Sequence, residues 1–352
     1  MPVVKRLIIL SVILGAFAYA WNDVDVIDIR VVGQPSMTGP IQKSLEQPFF
    51  ESLKENTGLP IKVDYRTVDE LGFKDDHQLA MLKSGMFDMV SLRFLQNGQE
   101  LPSILGIDLP GLNPDFQTAR KVAEAYGVVV DEDLQQRFGV KLLGLWTFGP
   151  QVIFCSKPIH RLSDLKGRKV RVGSSAYDAL IKSQGGIPVV IPFDRVAEAL
   201  SSNMADCAIT SQISAYSAKW PVYLTHVYPI ATQMGINGIA IRLDTWNKFS
   251  ESQKQHLQSA INTYIDQVWR YSEQLNTQAA NCLEGKGACA LGDKYKLTKT
   301  SVIDDDKRFM QKFALEQSFP VWAASCDKVD PNCSMRWKAA VDPILKQANQ
   351  RP

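Results

Sequence analysis

From Val24 to Val32 apolar and polar residues alternate, and the run ends in Gly33-Gln34-Pro35-Ser36, which predicts a strand feeding a polar loop. That loop, with Gln34 in it, is a candidate binding edge, because open α/β sheets take ligands beyond the carboxyl ends of their strands. Ile41, Leu45, Phe49, Phe50 and Leu53 follow at helical spacing; Pro48 predicts a kink or restart, and Gly58 the end of the helix. Ile61, Val63 and Tyr65 alternate as a second strand, Leu79 to Leu82 lies on a short helix, and Phe87 to Phe94 reads as a third strand with Asp88 at its start and Arg93 at its end. The succession β-α-β-α defines an α/β unit. Asn113 followed by Pro114 predicts a helix start, with the helix running to Tyr126 and stopping at Gly127. Val140 to Trp146 then reads as a strand that crosses to a second unit.

The second unit is organised around Leu162 to Ser175, where a helical turn leads into Val170-Arg171-Val172 and on to Ser174-Ser175. Arg171 leaves the opposite face of its strand from its apolar neighbours, at the strand's carboxyl end. A guanidinium there needs an anion to offset its desolvation, and its planar fork matches a carboxylate. Ser174 or Ser175 caps the helix from Tyr177 to Gly185, bringing free N–H groups near that anion. Pro192-Phe193-Asp194 leads into a helix carrying Val196, Ala199 and Leu200, and Asp206 to Ser211 forms the next strand. Ile236 to Arg242 returns to the first unit. Ser250 and Gln253 form a capping box that opens a long helix with Leu257, Ile261, Ile265, Val268 and Leu275 in phase, running to about Asn281. Roughly thirty residues span about 45 Å, enough to brace two lobes. A coiled-coil dimer is the alternative, weakened by the absence of sustained apolar heptads.

At 352 residues, 45% hydrophobic and 22% charged, the chain has the material for two lobes with sizeable cores. Residues 1–20 read as a secretory signal: Lys5 and Arg6, an apolar stretch from Leu7 to Phe17, and Ala18-Tyr19-Ala20 as cleavage site before Trp21. The stretch is short for a bilayer, so no stable membrane insertion of the mature chain is expected. Removing Lys5 and Arg6 leaves 37 basic against 37 acidic residues, and no nucleic-acid-binding field. All six cysteines follow the signal and enter an oxidising compartment. Cys282 with Cys289, and Cys326 with Cys333, flank short loops and read as local disulfides, although four cysteines allow three connectivities. A zinc site is the weaker reading, for the spacings are wider than C-x-x-C and no histidine lies near. Cys155 and Cys207 fall on predicted strands, where a buried free thiol is expected and a third bridge is the alternative.

Gly149-Pro-Gln-Val-Ile-Phe-Cys-Ser-Lys-Pro-Ile159, Asp164-Leu-Lys-Gly-Arg-Lys-Val-Arg-Val172, Pro192-Phe193 and Ala199-Leu200 ahead of Asp206 resemble the DctP-type solute receptors of tripartite ATP-independent periplasmic (TRAP) transporters, over about Val24 to Leu275. The resemblance implies an α/β, two-lobe periplasmic binding protein fold, type II-like, with a long hinge-spanning helix. It implies lobe I from residues 21–147 plus 234–262, and lobe II from 148–233 plus 263–352 with the bridging helix and a cysteine-bearing tail. In that family the arginine matching Arg171 clamps the ligand carboxylate, the aromatic matching Phe193 touches the ligand, and a polar residue sits at the slot of Thr210, beside Ser211. Phe193 has core packing as its other reading. Many members carry arginine at the position of Gln151, which here brings no charge; that departure speaks against a ligand clamped by two arginines within lobe II. Near Arg93 relatives carry an acidic or small residue, so Arg93 reads either as a contact to a further anionic group or as the partner of a surface acid. Trp146, Phe148 and Trp220 are candidates for an apolar pocket wall.

Catalytic motifs are absent from the sequence: no H-E-x-x-H, no G-x-S-x-G and no phosphate-binding glycine loop, with His77, His160, His226 and His256 scattered. The expectation is therefore a periplasmic receptor, not an enzyme, binding a small organic acid by hinge closure, without metal or cofactor, and delivering it to the membrane subunits of a TRAP permease. A receptor feeding a chemoreceptor or sensor kinase is the alternative, and a periplasmic enzyme on the same fold a third, since fold does not fix function.

Overall fold

The computed structural model describes residues 26–349, so the expected signal over residues 1–20 lies outside the described residues. Among these the strands are β1 (Ile27–Gly33), β2 (Ile61–Thr67), β3 (Met89–Leu92), β4 (Val140–Thr147), β5 (Gln151–Cys155), β6 (Lys169–Val172), β7 (Ile187–Val190), β8 (Cys207–Ser211), β9 (His226–Gln233), β10 (Ile236–Arg242) and β11 (Thr298–Lys299). They form a five-stranded sheet, β2-β1-β3-β10-β4, and a six-stranded sheet, β11-β9-β5-β8-β6-β7. In β1 the alternation buries Ile27, Ile29 and Val31 and exposes Asp28 and Arg30. β1 pairs with β2 in parallel, from Ile27 opposite Ile61 to Gly33 opposite Thr67. Its carboxyl end therefore delivers Gln34 beside the end of β3.

The predicted helix start at Asn113 is displaced. Asp115 is the cap, its side chain accepting from Thr118 N at 2.7 Å, and the helix is Phe116–Phe138. Asn113 is instead spent on Ile107 O and the Asp108 carboxylate, at 3.0 and 2.9 Å. Nor does the helix stop at Gly127. That glycine faces β4, where a Cβ would come within 2.8 Å of Leu145 Cδ1, and the terminator is Gly139 in the left-handed region. A glycine placed for close packing carries the same signature in sequence as one that ends a helix.

Two short segments join the sheets. The chain leaves β4 at Thr147 and enters β5 at Gln151, then returns between β9 and β10 through Met234-Gly235. The two crossovers lie side by side, Phe148 N donating to Gly235 O at 3.2 Å. The buried Asp108 carboxylate accepts from the backbone N–H of Met234 at 3.0 Å, Gly235 at 2.8 Å and Ile236 at 3.3 Å. One carboxylate thus satisfies three consecutive backbone donors where the turn runs into β10.

The helix Glu251–Glu284 has 34 residues and the predicted Ser250 and Gln253 capping box. Trp269 Nε1 donates to Leu145 O at 2.8 Å and Ser272 Oγ to Thr147 O at 2.6 Å, both on β4. Further along, Asn276 accepts from Gln212 at 3.2 Å, and Leu283 packs in a core beside the second sheet. One helix therefore holds both sheets.

The tail departs from its expected place on lobe II. Its first helix, Asp304–Phe313, does pack there, with Asp306 accepting from Leu162 N at 2.7 Å and Tyr228 OH at 2.6 Å. Beyond it, Phe319–Cys326 and Cys333–Asn349 lie against lobe I: Trp322 Nε1 donates to Pro102 O at 2.8 Å, Trp337 Nε1 to Gly106 O at 2.6 Å, and Arg336 pairs with Asp133 at 2.6 Å. The cause is aromatic: Phe319, Trp322 and Trp337 cluster with each other and with Tyr126 of the helix Phe116–Phe138. Cys282–Cys289 and Cys326–Cys333 close local loops. The expected free thiols are a third bridge, because the antiparallel pairing of β5 and β8 sets Cys155 directly opposite Cys207.

Non-reducing peptide mapping should return the three pairs Cys155–Cys207, Cys282–Cys289 and Cys326–Cys333; a cross-link between the two local loops would overturn this connectivity. Asp108→Ala leaves the buried N–H groups of Met234 and Ile236 and the half-buried one of Gly235 without that acceptor, at roughly 1–3 kcal/mol for each buried donor, so urea unfolding should show a loss of at least about 2 kcal/mol.

Candidate functional site

Arg171 stands on β6 between β7 and β8 and is only 4% exposed. Its Nε donates to Ile191 O at 2.9 Å, just beyond β7, and its Nη1 to Ile209 O at 3.2 Å, within β8. The guanidinium lies 5.5 Å from the Trp220 ring and 5.9 Å from that of Phe193. Rings and carbonyls favour the cation but do not cancel it. Among the described residues no carboxylate comes within ion-pair distance. Burial first, and then the charge of Arg93, push its pKa down to about 10. Two of its five N–H groups are used, and the other three, on Nη1 and Nη2, suffice for a two-point contact with a carboxylate.

Arg93 follows β3 in the other lobe. Its Nε lies 3.1 Å from Asp75 Oδ2 and 3.3 Å from Gln96 Oε1, and its Nη1 donates to Gln34 Oε1 at 3.2 Å. Gln34 also uses its amide N–H groups, on Ser91 O and Oγ at 2.9 and 3.0 Å, so it orients Arg93 from within the lobe. Beneath them Glu46 accepts from Gln34 N at 2.6 Å, Ser91 Oγ at 2.6 Å and Tyr65 OH at 2.9 Å; burial pushes its carboxyl up.

The lobes meet beside Arg171. Leu95 packs into the core of the second lobe, and a Cβ on Gly173 would lie 3.3 Å from Leu95 Cδ2, 3.9 Å from Arg171 Nη2 and 4.0 Å from Gln96 Nε2. Gly39 of the first lobe lies against Ser217 of the second. A cavity of about 60 Å3 opens toward the crossovers, lined by Arg93, Phe148, Gln151, Asp108, Gln233 and Asn237 among others. Arg171 is not part of that lining. A wider concavity, of about 460 Å3, lies at the amino ends of β1 and β3 around Asp28, Arg30 and Asp88, where Arg30 and Asp88 already pair at 2.7 Å. Arg171 and the lobe contact therefore mark the candidate site, and the size of a concavity does not.

The sequence-derived candidates divide into groups. Arg171 and Phe193 share one environment; Arg93, Phe148 and Gln151 share the cavity wall, with Phe148 5.6 Å from the Arg93 guanidinium. Gln151 Nε2 donates to Gly149 O at 2.8 Å. Ser174 Oγ accepts from Ala176 N at 3.2 Å, which makes it the cap of the turn after β6. Ser211 Oγ is taken up by Ser214 in capping the helix Gln212–Ser217, whereas Thr210 is buried beside it on β8. Trp146 is fully buried behind Phe148, and Trp220 stands under Arg171. Sequence reasoning missed Asp75, Leu95 and Gln96. Leu95 and Gln96 follow Arg93 directly, the one signal that points to them, while Asp75 sits in a polar run without periodicity. Among the described residues no group of three His, Cys, Asp or Glu side chains is placed to hold a metal ion.

Two α/β lobes joined by paired crossovers, in contact over a buried cation, define a two-lobe binding protein. The DctP family model, bacterial extracellular solute-binding protein family 7, matches residues 33–297, and the chain belongs to this family. It is 24% identical over 256 residues to the sialic acid-binding periplasmic protein SiaP of Vibrio cholerae, covering 71% of this chain and 77% of that protein. The fold is that of a TRAP periplasmic solute binding protein from Rhodoferax ferrireducens with bound malonate, at TM-score 0.78 and 17% identity over 92% of this chain and 100% of that one. DctP7 of Bordetella pertussis, a receptor binding pyroglutamic acid, superposes at TM-score 0.76 and 16% identity over 90% of this chain and 99% of its own. No helix among the described residues is long and apolar enough to cross a membrane.

Gly173→Leu puts a branched side chain where Leu95 closes on the second lobe. X-ray scattering in solution should then show a larger radius of gyration than wild type, with thermal stability nearly unchanged; an unchanged radius would mean that this contact does not limit closure.

Proposed function

We propose that this chain is a periplasmic receptor that takes a small organic acid between its lobes, with Arg171 as the anchor of the ligand carboxylate, and hands the acid to a TRAP permease in the membrane. The buried guanidinium, with no carboxylate partner among the described residues, carries this reading. Phe193 and Trp220 form the apolar side of the anchor, and Gln151, Phe148 and Thr210 are the further ligand-facing candidates of the set. Family membership supports transport over catalysis, and the malonate and pyroglutamic acid bound by structural neighbours support an organic acid as the ligand class. Secretion by cleavage before Trp21 belongs to the same proposal.

A thermal-shift screen of residues 21–352 against small carboxylates and sulfonates, repeated with Arg171→Ala, tests it. Two charged hydrogen bonds at roughly 1.5–3 kcal/mol each correspond to about two to four orders of magnitude in affinity. An acid that raises the Tm of wild type should therefore leave the variant unmoved. Equal shifts of both proteins, or none with any acid, would sink the anchor. Because Arg171 must be charged to bind, and its free-form pKa stands at about 10, titration calorimetry should find affinity level across the neutral range and falling as pH rises past that value.

A further inference from the structure

Arg93 and Arg171 face each other from different lobes, close enough for each charge to be felt by the other. Their surroundings differ. Arg171 has carbonyls and rings; Arg93 has a carboxylate, Asp75 Oδ2, at 3.1 Å, in a pair whose side chains are only 12% and 27% exposed. Such a pair is weakly screened by solvent. Asp75 is held in place, for Asn97 Nδ2 donates to its backbone carbonyl at 2.8 Å. The remaining partners of Arg93, Gln34 and Gln96, are neutral, and so is Gln151 on the cavity wall. Glu46 and Asp108 are buried and committed to donors of their own surroundings, Glu46 to Gln34, Ser91 and Tyr65, Asp108 to Asn113 and the Met234–Ile236 turn. Asp194 is exposed and screened by water.

We infer that Asp75 sets the charge of the ligand: by neutralising Arg93 it leaves Arg171, among the described residues, as the one uncompensated cation of the cleft, so the receptor selects a monocarboxylate over a dicarboxylate. The inference rests on the Arg171 anchor proposed above. A second ligand carboxylate would enter the closed cleft without a cation of its own and beside Asp75, at the cost of its desolvation. A neutral acceptor is a different matter. Arg93 keeps one Nη1 and two Nη2 N–H groups beyond those given to Gln34, Gln96 and Asp75, and they can serve a carbonyl or hydroxyl. The favoured ligand class is an acid with one carboxylate and a neutral polar group at its other end.

Matched pairs isolate the charge. Titration calorimetry with succinate against succinamate and malonate against malonamate, with pyroglutamate as a further monocarboxylate, is carried out on wild type, Asp75→Asn, Arg93→Gln and the double variant. Wild type should bind the monoamide at least about tenfold more tightly than the diacid. Asp75→Asn, with two uncompensated cations, should shift that ratio toward the diacid by at least about tenfold, and the double variant should restore the wild-type order because it again leaves Arg171 alone. A merely structural role for Asp75 would weaken both members of a pair and leave the ratio fixed. Wild type preferring the diacid, or a ratio that Asp75→Asn does not move, overturns the inference and leaves the anchor standing. If none of the acids binds wild type, the anchor fails and the inference with it; the wild-type ratio decides even where a variant does not fold.

Discussion

A guanidinium withdrawn from water without a counter-ion is the constraint on which this architecture turns. Moving a cation into a medium of low polarity costs several kcal/mol, and carbonyls and aromatic faces return only part of it. Arg171 receives Ile191 O, Ile209 O, Phe193 and Trp220, and its pKa is still depressed. The surrounding fold must therefore be stable enough to hold a group that opposes its own burial. That stability comes from neighbours: β6 is an inner strand, paired on both sides, with apolar clusters on both faces of the sheet and a disulfide across the adjoining pair β5 and β8.

Rigidity within each lobe is matched by economy between them. The crossovers from β4 to β5 and from β9 to β10 are pinned together by Asp108, whose carboxylate takes three consecutive backbone donors. The helix Glu251–Glu284 rests on β4 through Trp269 and Ser272 and reaches the second lobe by Gln212 and Leu283. The tail adds a second strap, one helix on lobe II and two on lobe I. Where the lobes meet beside the buried arginine, Leu95 packs on Gly173, and elsewhere Gly39 lies against Ser217.

How much of this was legible in the sequence follows from the range of each signal. Arg171 was, because a strand's alternation and the polar loop after it are local; the long helix was, because its capping box and apolar phase are local too. The helix start at Asn113 misled, for the asparagine carries the signature of a cap while its side chain serves Asp108, whose purpose appears only when the Met234–Ile236 turn is brought alongside. Gly127 misled because packing on Leu145 is invisible from within the helix. The pairing of Cys155 with Cys207 needs the register of two strands 52 residues apart in sequence, and the tail needs an aromatic cluster assembled from three helices. Asp75 belongs to the same class, since only the fold brings it to Arg93.

Closure has an electrostatic consequence of its own. A ligand shifts an open–closed equilibrium only by the difference in its interaction with the two states. Bringing Arg93 up to Arg171 sets two cationic side chains close together in a medium of low polarity, a repulsion that Asp75 offsets. On the proposed anchor, an anion at Arg171 would remove that repulsion: the cation that resisted the approach of Arg93 would become part of an ion pair, and the Arg93–Asp75 pair could close over it. On the anchor proposed above, the same residue would hold the acid and make closure depend on it, so that a surface presented only by the closed lobes would report occupancy without any separate switch.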